Sequence, residues 1–255
     1  MTEPTSLTSA LHKLLQRAIQ AGGGWIGFDR FMALALYAPG LGYYANSGAK
    51  FGTMPEGVKG EGSDFVTAPE LSPLFGQALA AQVGEALAAT GTDEVWEFGA
   101  GSGALAQQLL GTLGETVRRY TIVDLSGTLR ARQQARLAGF GDTVRWVDAL
   151  PEAIQGVVVG NEVLDAMPVK LLVRQGGQAG GVWWERGVAL EGDALAWADR
   201  PTELRPPVEV EGPQDYLSEI HPQAEAFIAT LADRFRASLQ SGGRGGAAFF
   251  LDYGF

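Results

Sequence analysis

The chain has 255 residues, 46% of them hydrophobic, enough for one large domain, or a domain with a sizeable appendage, around its own core. Its 19 basic and 29 acidic residues give a net charge of −10, which repels phosphate backbones and argues against nucleic acid as a partner. With no cysteine and only two histidines, His12 and His221, disulfides, thiolate catalysis and cysteine-ligated zinc are excluded, and no metal-ligand spacing is seen.

Residues 6–20 place Leu7, Leu11, Leu14, Leu15 and Ile19 at helical spacing, and Gly22-Gly23-Gly24 ends that helix. A second helix is expected over 27–37, stopped by Pro39-Gly40. Residues 40–66 are glycine-rich and aperiodic, a long loop of the kind that more often carries function. A small-residue helix follows over about 73–90. From there strands and helices alternate. Strand-like runs lie at 95–98, 120–124, 144–147, 157–163 and 247–252, with helices near 104–113 and 127–138. This order predicts a parallel sheet with right-handed crossovers. After Pro168, two apolar runs flank Gly176, Gly177, Gly180 and Gly181 and read as a β-hairpin. A proline-rich loop over 200–214, a helix over 222–240 and the last strand complete the chain.

No apolar run approaches the roughly 18 residues of a membrane span. The N-terminus lacks the basic-then-apolar order of a signal peptide. A cytoplasmic protein without membrane insertion is expected.

The strongest chemical signal is Glu97-Phe98-Gly99-Ala100-Gly101-Ser102-Gly103, a strand that ends in a glycine turn and opens a helix. Such glycines let the backbone turn sharply and approach a ligand, while the helix N-terminus offers free N–H groups. Asp124 closes the next strand, where a carboxylate can hold both ribose hydroxyls. Asp148 closes the third, within reach of an adenine amino group; a turn or cap role for it is about equally compatible. Two cofactors fit this spacing. Gly99, Gly101 and Ala104 satisfy the dinucleotide pattern, so an NAD-dependent oxidoreductase stays open. S-adenosylmethionine (SAM) is favoured by Glu97, by Gly103 and by the lack of hydride-transfer machinery after the fourth strand.

That fourth strand leads into Gly160-Asn161-Glu162-Val163-Leu164-Asp165-Ala166-Met167-Pro168. Asn161, Glu162 and Asp165 are the candidate catalytic residues, because strand four should lie beside strand one at the topological switch point. Two carboxylates there suit a cationic acceptor such as an arginine guanidinium. The Asn/Asp-Pro-Pro-aromatic tetrapeptide usual in base methyltransferases is absent.

Residues 31–37, Pro39-Gly40-Leu41-Gly42-Tyr43-Tyr44, residues 64–76, 97–103 and 160–168, and Leu251-Asp252-Tyr253-Gly254-Phe255 together resemble the MidA family. The resemblance runs, with gaps, from about residue 11 to the last. It implies an α/β, Rossmann-like class I SAM-dependent methyltransferase sheet with an N-terminal helical segment and an inserted β-hairpin. It also implies protein-arginine methylation, since mitochondrial members dimethylate an arginine of a respiratory complex I subunit and assist that complex's assembly. A protein substrate, among them a respiratory-complex subunit, is the implied partner. By motif, Gly99, Gly101 and Gly103 would cradle the methionine end of SAM, Asp124 would take the ribose, and Thr67, Pro69 and Glu70 would close over the site. An N-terminal segment over 1–92 and a SAM-binding domain over 93–255, with an insertion at about 169–215, are expected. Family members usually continue beyond the final Phe255, so a C-terminally incomplete domain is expected, and a SAM-binding assembly factor without turnover is the second reading. Residues 50–62 form a glycine-rich insertion with no assigned role.

Overall fold

The computed structural model describes residues 7–45, 67–124, 127–175, 182–208 and 212–253. The glycine-rich insertion at 50–62, the hairpin glycines at 176–181 and the last two residues lie outside them. In chain order the elements are α1 (Leu7–Ala21), β1 (Trp25–Gly27), α2 (Phe28–Tyr37), α3 (Ala68–Leu71), α4 (Pro73–Thr90), β2 (Glu94–Phe98), α5 (Ala104–Leu113), β3 (Arg119–Val123), α6 (Gly127–Leu137), β4 (Val144–Val147) and β5 (Gly156–Asn161). They continue with β6 (Lys170–Arg174), β7 (Trp183–Glu191), β8 (Ala194–Pro201), β9 (Tyr216–Ile220), α7 (Pro222–Gln240) and β10 (Gly246–Leu251). Local chemistry sets several ends. Ser72 Oγ accepts from Leu74 N and caps α4 behind a first-turn proline, and Gly91 ends that helix at φ +64°.

The chain divides into two compact units, Met1–Asn46 with Ala166–Ala226 and Ser47–Asp165 with Phe227–Phe255. In the first, the expected hairpin is present as antiparallel β6 and β7. It is widened by β9 against β6, and by β1 and β8 against β7. Ile19, Ile26 and Val188 form its core. Lys170 lies 3.0 Å from Asp29 and 2.7 Å from Glu185, so its one positive charge is shared between two carboxylates on a half-buried face.

In the second unit β10, β5, β2, β3 and β4 pair in that order, every neighbour parallel. Both faces are covered, which is why the strands read as continuous apolar runs rather than alternating ones. On one face Val95, Ile122, Val157 and Val159 pack with Leu79 and Val83 of α4 and Leu105 and Leu109 of α5. On the other, Trp96 and Val158 meet Leu231 of α7. Each such fully buried aliphatic side chain contributes about 1.5–3 kcal/mol. Thus α4, grouped above with the N-terminal segment, is part of the sheet's own core.

One carboxyl sits inside that core. Glu97, central in β2, is 2% exposed, and Tyr120 of β3 donates to its Oε2 at 2.7 Å. Burial raises its pKa from 4.5 to about 7; the Tyr120 hydrogen bond opposes this and the charge of Asp124 adds to it. Between pH 4.5 and 7 the folded chain therefore keeps a proton that the unfolded chain releases, so this group's contribution to stability falls as pH rises and is fully lost above 7. The loss is about 3 kcal/mol. Glu97→Gln should thus gain on the wild type as pH rises, by that order, in urea unfolding between pH 5 and 8; parallel pH profiles for the two would contradict the account.

Register rests on a close approach at the start of β5. Gly156 has φ +105°, and a Cβ there would lie 2.1 Å from the Glu94 carbonyl oxygen. Gly156→Ala should cost about 2 kcal/mol or more, read as a lower urea midpoint; an unchanged midpoint would mean that β5 can shift without penalty.

Candidate cofactor and acceptor site

Parallel register brings the strand ends to one edge of the sheet. Phe98 pairs with Gly160 and with Val123, Val123 with Val147, and Asn161 with Leu251. Gly99, Asp124, Asp148, Glu162 and Asp252 follow these positions directly, so five segments far apart in sequence meet at the carboxyl ends of the strands. In open α/β sheets this is where ligands bind.

The glycine loop needs its glycines. Gly99, Gly101 and Gly103 have φ of +63°, +52° and +83°, and a Cβ on Gly99 would come within 3.0 Å of Val163 Cγ2. Helix α5 begins immediately beyond, and no side chain caps it. Its first N–H groups and the positive end of its dipole therefore suit a carboxylate.

A stripe on α6 ties the cofactor edge together. Arg130, Gln133 and Arg136 lie three residues apart, on one helix face. Arg130 Nη2 donates to the Asp124 carbonyl at 3.1 Å and forms an ion pair with Asp148. Gln133 Nε2 donates to Asp124 Oδ2 at 2.8 Å and to the Gly101 carbonyl at 3.0 Å, while Trp146 Nε1 donates to Gln133 Oε1 at 2.9 Å. Arg136 Nη1 reaches Ser102 Oγ at 2.5 Å and Glu70 Oε1 at 3.1 Å.

Helix α3 lies beside the glycine loop. Ser102 Oγ donates to Glu70, and the Pro69 carbonyl accepts from Gln108 Nε2 of α5 at 2.7 Å. The Gln108 Oε1 in turn accepts from Gly76 N at 3.0 Å. Thr67 starts α3, and its side chain makes no cap hydrogen bond.

At the other side of the loop the chain leaves β5 through a strained residue. Glu162 has φ +53°, the one positive value outside glycine among the described residues, so the strand run expected to reach 163 stops at Asn161. The turn is held from afar: Asp252 Oδ2, just past β10, accepts from Leu164 N at 2.9 Å and Asp165 N at 3.1 Å, and Glu162 N donates to the Leu251 carbonyl at 2.8 Å. Glu162 Oε2 is buried with no hydrogen-bond partner among the described residues. Burial raises the Glu162 pKa above the usual carboxylate value, and the charges of Asp165 and Asp252 add to the effect; hydrogen bonds with Tyr253 and Asn161 oppose it.

Of the residues singled out from sequence, Gly99, Gly101, Gly103, Asp124, Asp148, Asn161, Glu162 and Asp165 gather at this edge, and Thr67, Pro69 and Glu70 stand beside the loop. Glu97 lies beneath it, within the core. Asp148 is 74% exposed at its side chain and already engaged by Arg130. Sequence reasoning missed the α6 stripe, Ser102 and Asp252. The signal for the stripe was present as three long polar residues at helical spacing, Arg130, Gln133 and Arg136, in the helix after the second strand.

A family model described as "Putative S-adenosyl-L-methionine-dependent methyltransferase" matches residues 78–255. A crystal structure of a Burkholderia thailandensis protein bound to S-adenosyl-homocysteine is 46% identical, with a TM-score of 0.81 over 100% of this chain and 65% of that one. The mitochondrial protein arginine methyltransferase NDUFAF7 of Danio rerio is 26% identical over 98% of this chain and 63% of its own length. The NDUFAF7 homolog of Caenorhabditis elegans, also named a mitochondrial protein arginine methyltransferase, is 26% identical over 97% and 62%. The chain spans under two thirds of the length of these relatives. The ambiguity of the glycine loop between NAD and SAM is resolved by the family match, and with it the expected α/β methyltransferase sheet: the chain belongs to the MidA family of SAM-dependent methyltransferases.

Proposed function

We propose that the chain transfers a methyl group from SAM to a guanidinium nitrogen of a protein arginine. SAM supplies an electrophilic methyl on a sulfonium. Its carboxylate fits the uncapped N-terminus of α5 and the backbone of Gly99, Gly101 and Gly103, where only glycine conformations occur. Asp124 holds the ribose hydroxyls, its carboxylate oriented by the bond from Gln133. Asp148 borders the adenine together with Arg130. Glu97 supports the loop from below, and Thr67, Pro69 and Glu70 form the wall beside it.

The observation that carries the acceptor assignment is the buried Glu162 Oε2, which has no hydrogen-bond partner among the described residues, on a strained turn next to Asp165. A buried acceptor calls for a donor. A guanidinium presents a planar fork of N–H donors that matches paired carboxylates. As the nitrogen takes the methyl it must release a proton, and the raised pKa of Glu162 makes that carboxylate a better base. Asn161, at the end of β5, orients the same carboxyl. The names of the Danio rerio and Caenorhabditis elegans relatives support the same acceptor. A respiratory-complex subunit, the target implied by the family resemblance, is the first substrate to try.

Calorimetric titration should show SAM binding and no NADH binding, with Asp124→Ala weakening SAM at least tenfold; NADH binding without SAM binding would remove the reading. Glu162→Gln should lower methyl transfer about 100-fold while SAM affinity stays within a few-fold. Product analysis for methylarginine decides the acceptor, and methyl groups found on another residue type would refute arginine.

A further inference from the structure

We propose that Gln133 is a positioning residue for the cofactor, fixing the Asp124 carboxylate and the Gly101 carbonyl relative to each other through one amide. The inference rests on the SAM reading above and assigns a role to a residue outside the glycine loop and the strand ends. Gln133 is 0% exposed, and its amide makes three hydrogen bonds: Nε2 to Asp124 Oδ2, Nε2 to the Gly101 carbonyl, and Oε1 from Trp146 Nε1. An indole N–H can only donate. It therefore requires the carbonyl end of the amide to face Trp146, and both N–H groups are left to face two acceptors. The chemistry of the partners, rather than side-chain packing, determines which way the amide points.

The consequence is geometric. Asp124 follows β3 and Gly101 sits in the loop after β2, so one side chain of α6 sets the spacing between the group proposed for the ribose and the loop proposed for the methionine end. The loop is also packed against this residue: a Cβ on Gly103 would lie 3.5 Å from Gln133 Cα and 3.6 Å from its Cγ. A buried glutamine serving stability alone needs no such pair of acceptors, each belonging to a different segment of the site. Networks of this kind hold a binding group at productive geometry.

The test is calorimetric titration of the full chain with S-adenosylhomocysteine, in parallel with urea unfolding. Gln133→Met keeps the length and apolar body of the side chain and removes the amide; it should weaken binding at least tenfold. Gln133→Glu places a carboxylate against two acceptors at neutral pH, so it should bind more weakly still and recover as the pH falls and the carboxyl gains an O–H donor. A merely structural role would not give affinity that returns on acidification in a protein that stays folded. If Gln133→Met fails to fold, Trp146→Phe, which frees the amide to turn over, should weaken binding several-fold on its own. Folded variants that bind within twofold of the wild type, and a pH-independent Gln133→Glu, overturn the inference while leaving the SAM reading in place. A wild-type chain that binds neither SAM nor S-adenosylhomocysteine overturns both.

Discussion

Everything at the candidate site depends on β2 being paired on both sides by parallel strands. A parallel ladder permits no hairpin, so each strand must be followed by a crossover, and every strand ends at the same edge. Because β2 lies between β5 and β3, the glycine loop that leaves it is flanked by the segment bearing Glu162 on one side and Asp124 on the other. These groups lie far apart in sequence, yet register alone makes them neighbours, and the 3.0 Å that a Gly99 Cβ would leave to Val163 shows how tight that juxtaposition is.

The two halves of the edge are stabilised by different means. On the cofactor side, α6 spreads three polar side chains across Asp148, Asp124, the glycine loop and Glu70, so its polar sequence is partly consumed by the site rather than by solvent. On the side of the 162–165 turn, a left-handed Glu162 costs on the order of 1–3 kcal/mol. The backbone is held there by two N–H groups on Asp252 and one on the Leu251 carbonyl. The last strand thus does more than widen the sheet: its final carboxylate determines the shape of the turn that carries the candidate acceptor residues.

Much of this was legible in the residues. Helices such as α4 and α7 have stripes or proline starts strong enough to be bounded closely, and the buried parallel strands stand out as β-branched runs such as Val157, Val158 and Val159. The strands β1, β8 and β9 were not foreseen. Three residues of β1 sit between a glycine run and a helix, too few to show alternation, and β8 is rich in alanine, which carries little strand preference. At the candidate site, the place of the glycines and strand-end acids could be read from the sequence because it follows from local position. The partners of Asp124 and of the 162–165 turn could not, because Gln133 and Asp252 act through contacts that exist only once helix and sheet are assembled. A glutamine in a helix reads as solvated surface until an indole, a carboxylate and a carbonyl are placed around it.

The charge of the edge bears on turnover under the proposed function. Asp124, Asp148, Glu162, Asp165 and Asp252 converge there, and on the cofactor side Arg130 pairs with Asp148 while Arg136 pairs with Glu70. The turn after β5 carries Glu162 and Asp165 beside Asp252. SAM carries a positive sulfonium that its product lacks, and a guanidinium is cationic as well, so the carboxylates favour the reactants over the demethylated cofactor. The same field that gathers two cations at one edge is weaker for S-adenosylhomocysteine once the methyl has moved, which aids its release. The methylated arginine keeps its charge, so its departure must come from lost hydrogen bonding to Glu162 rather than from lost attraction.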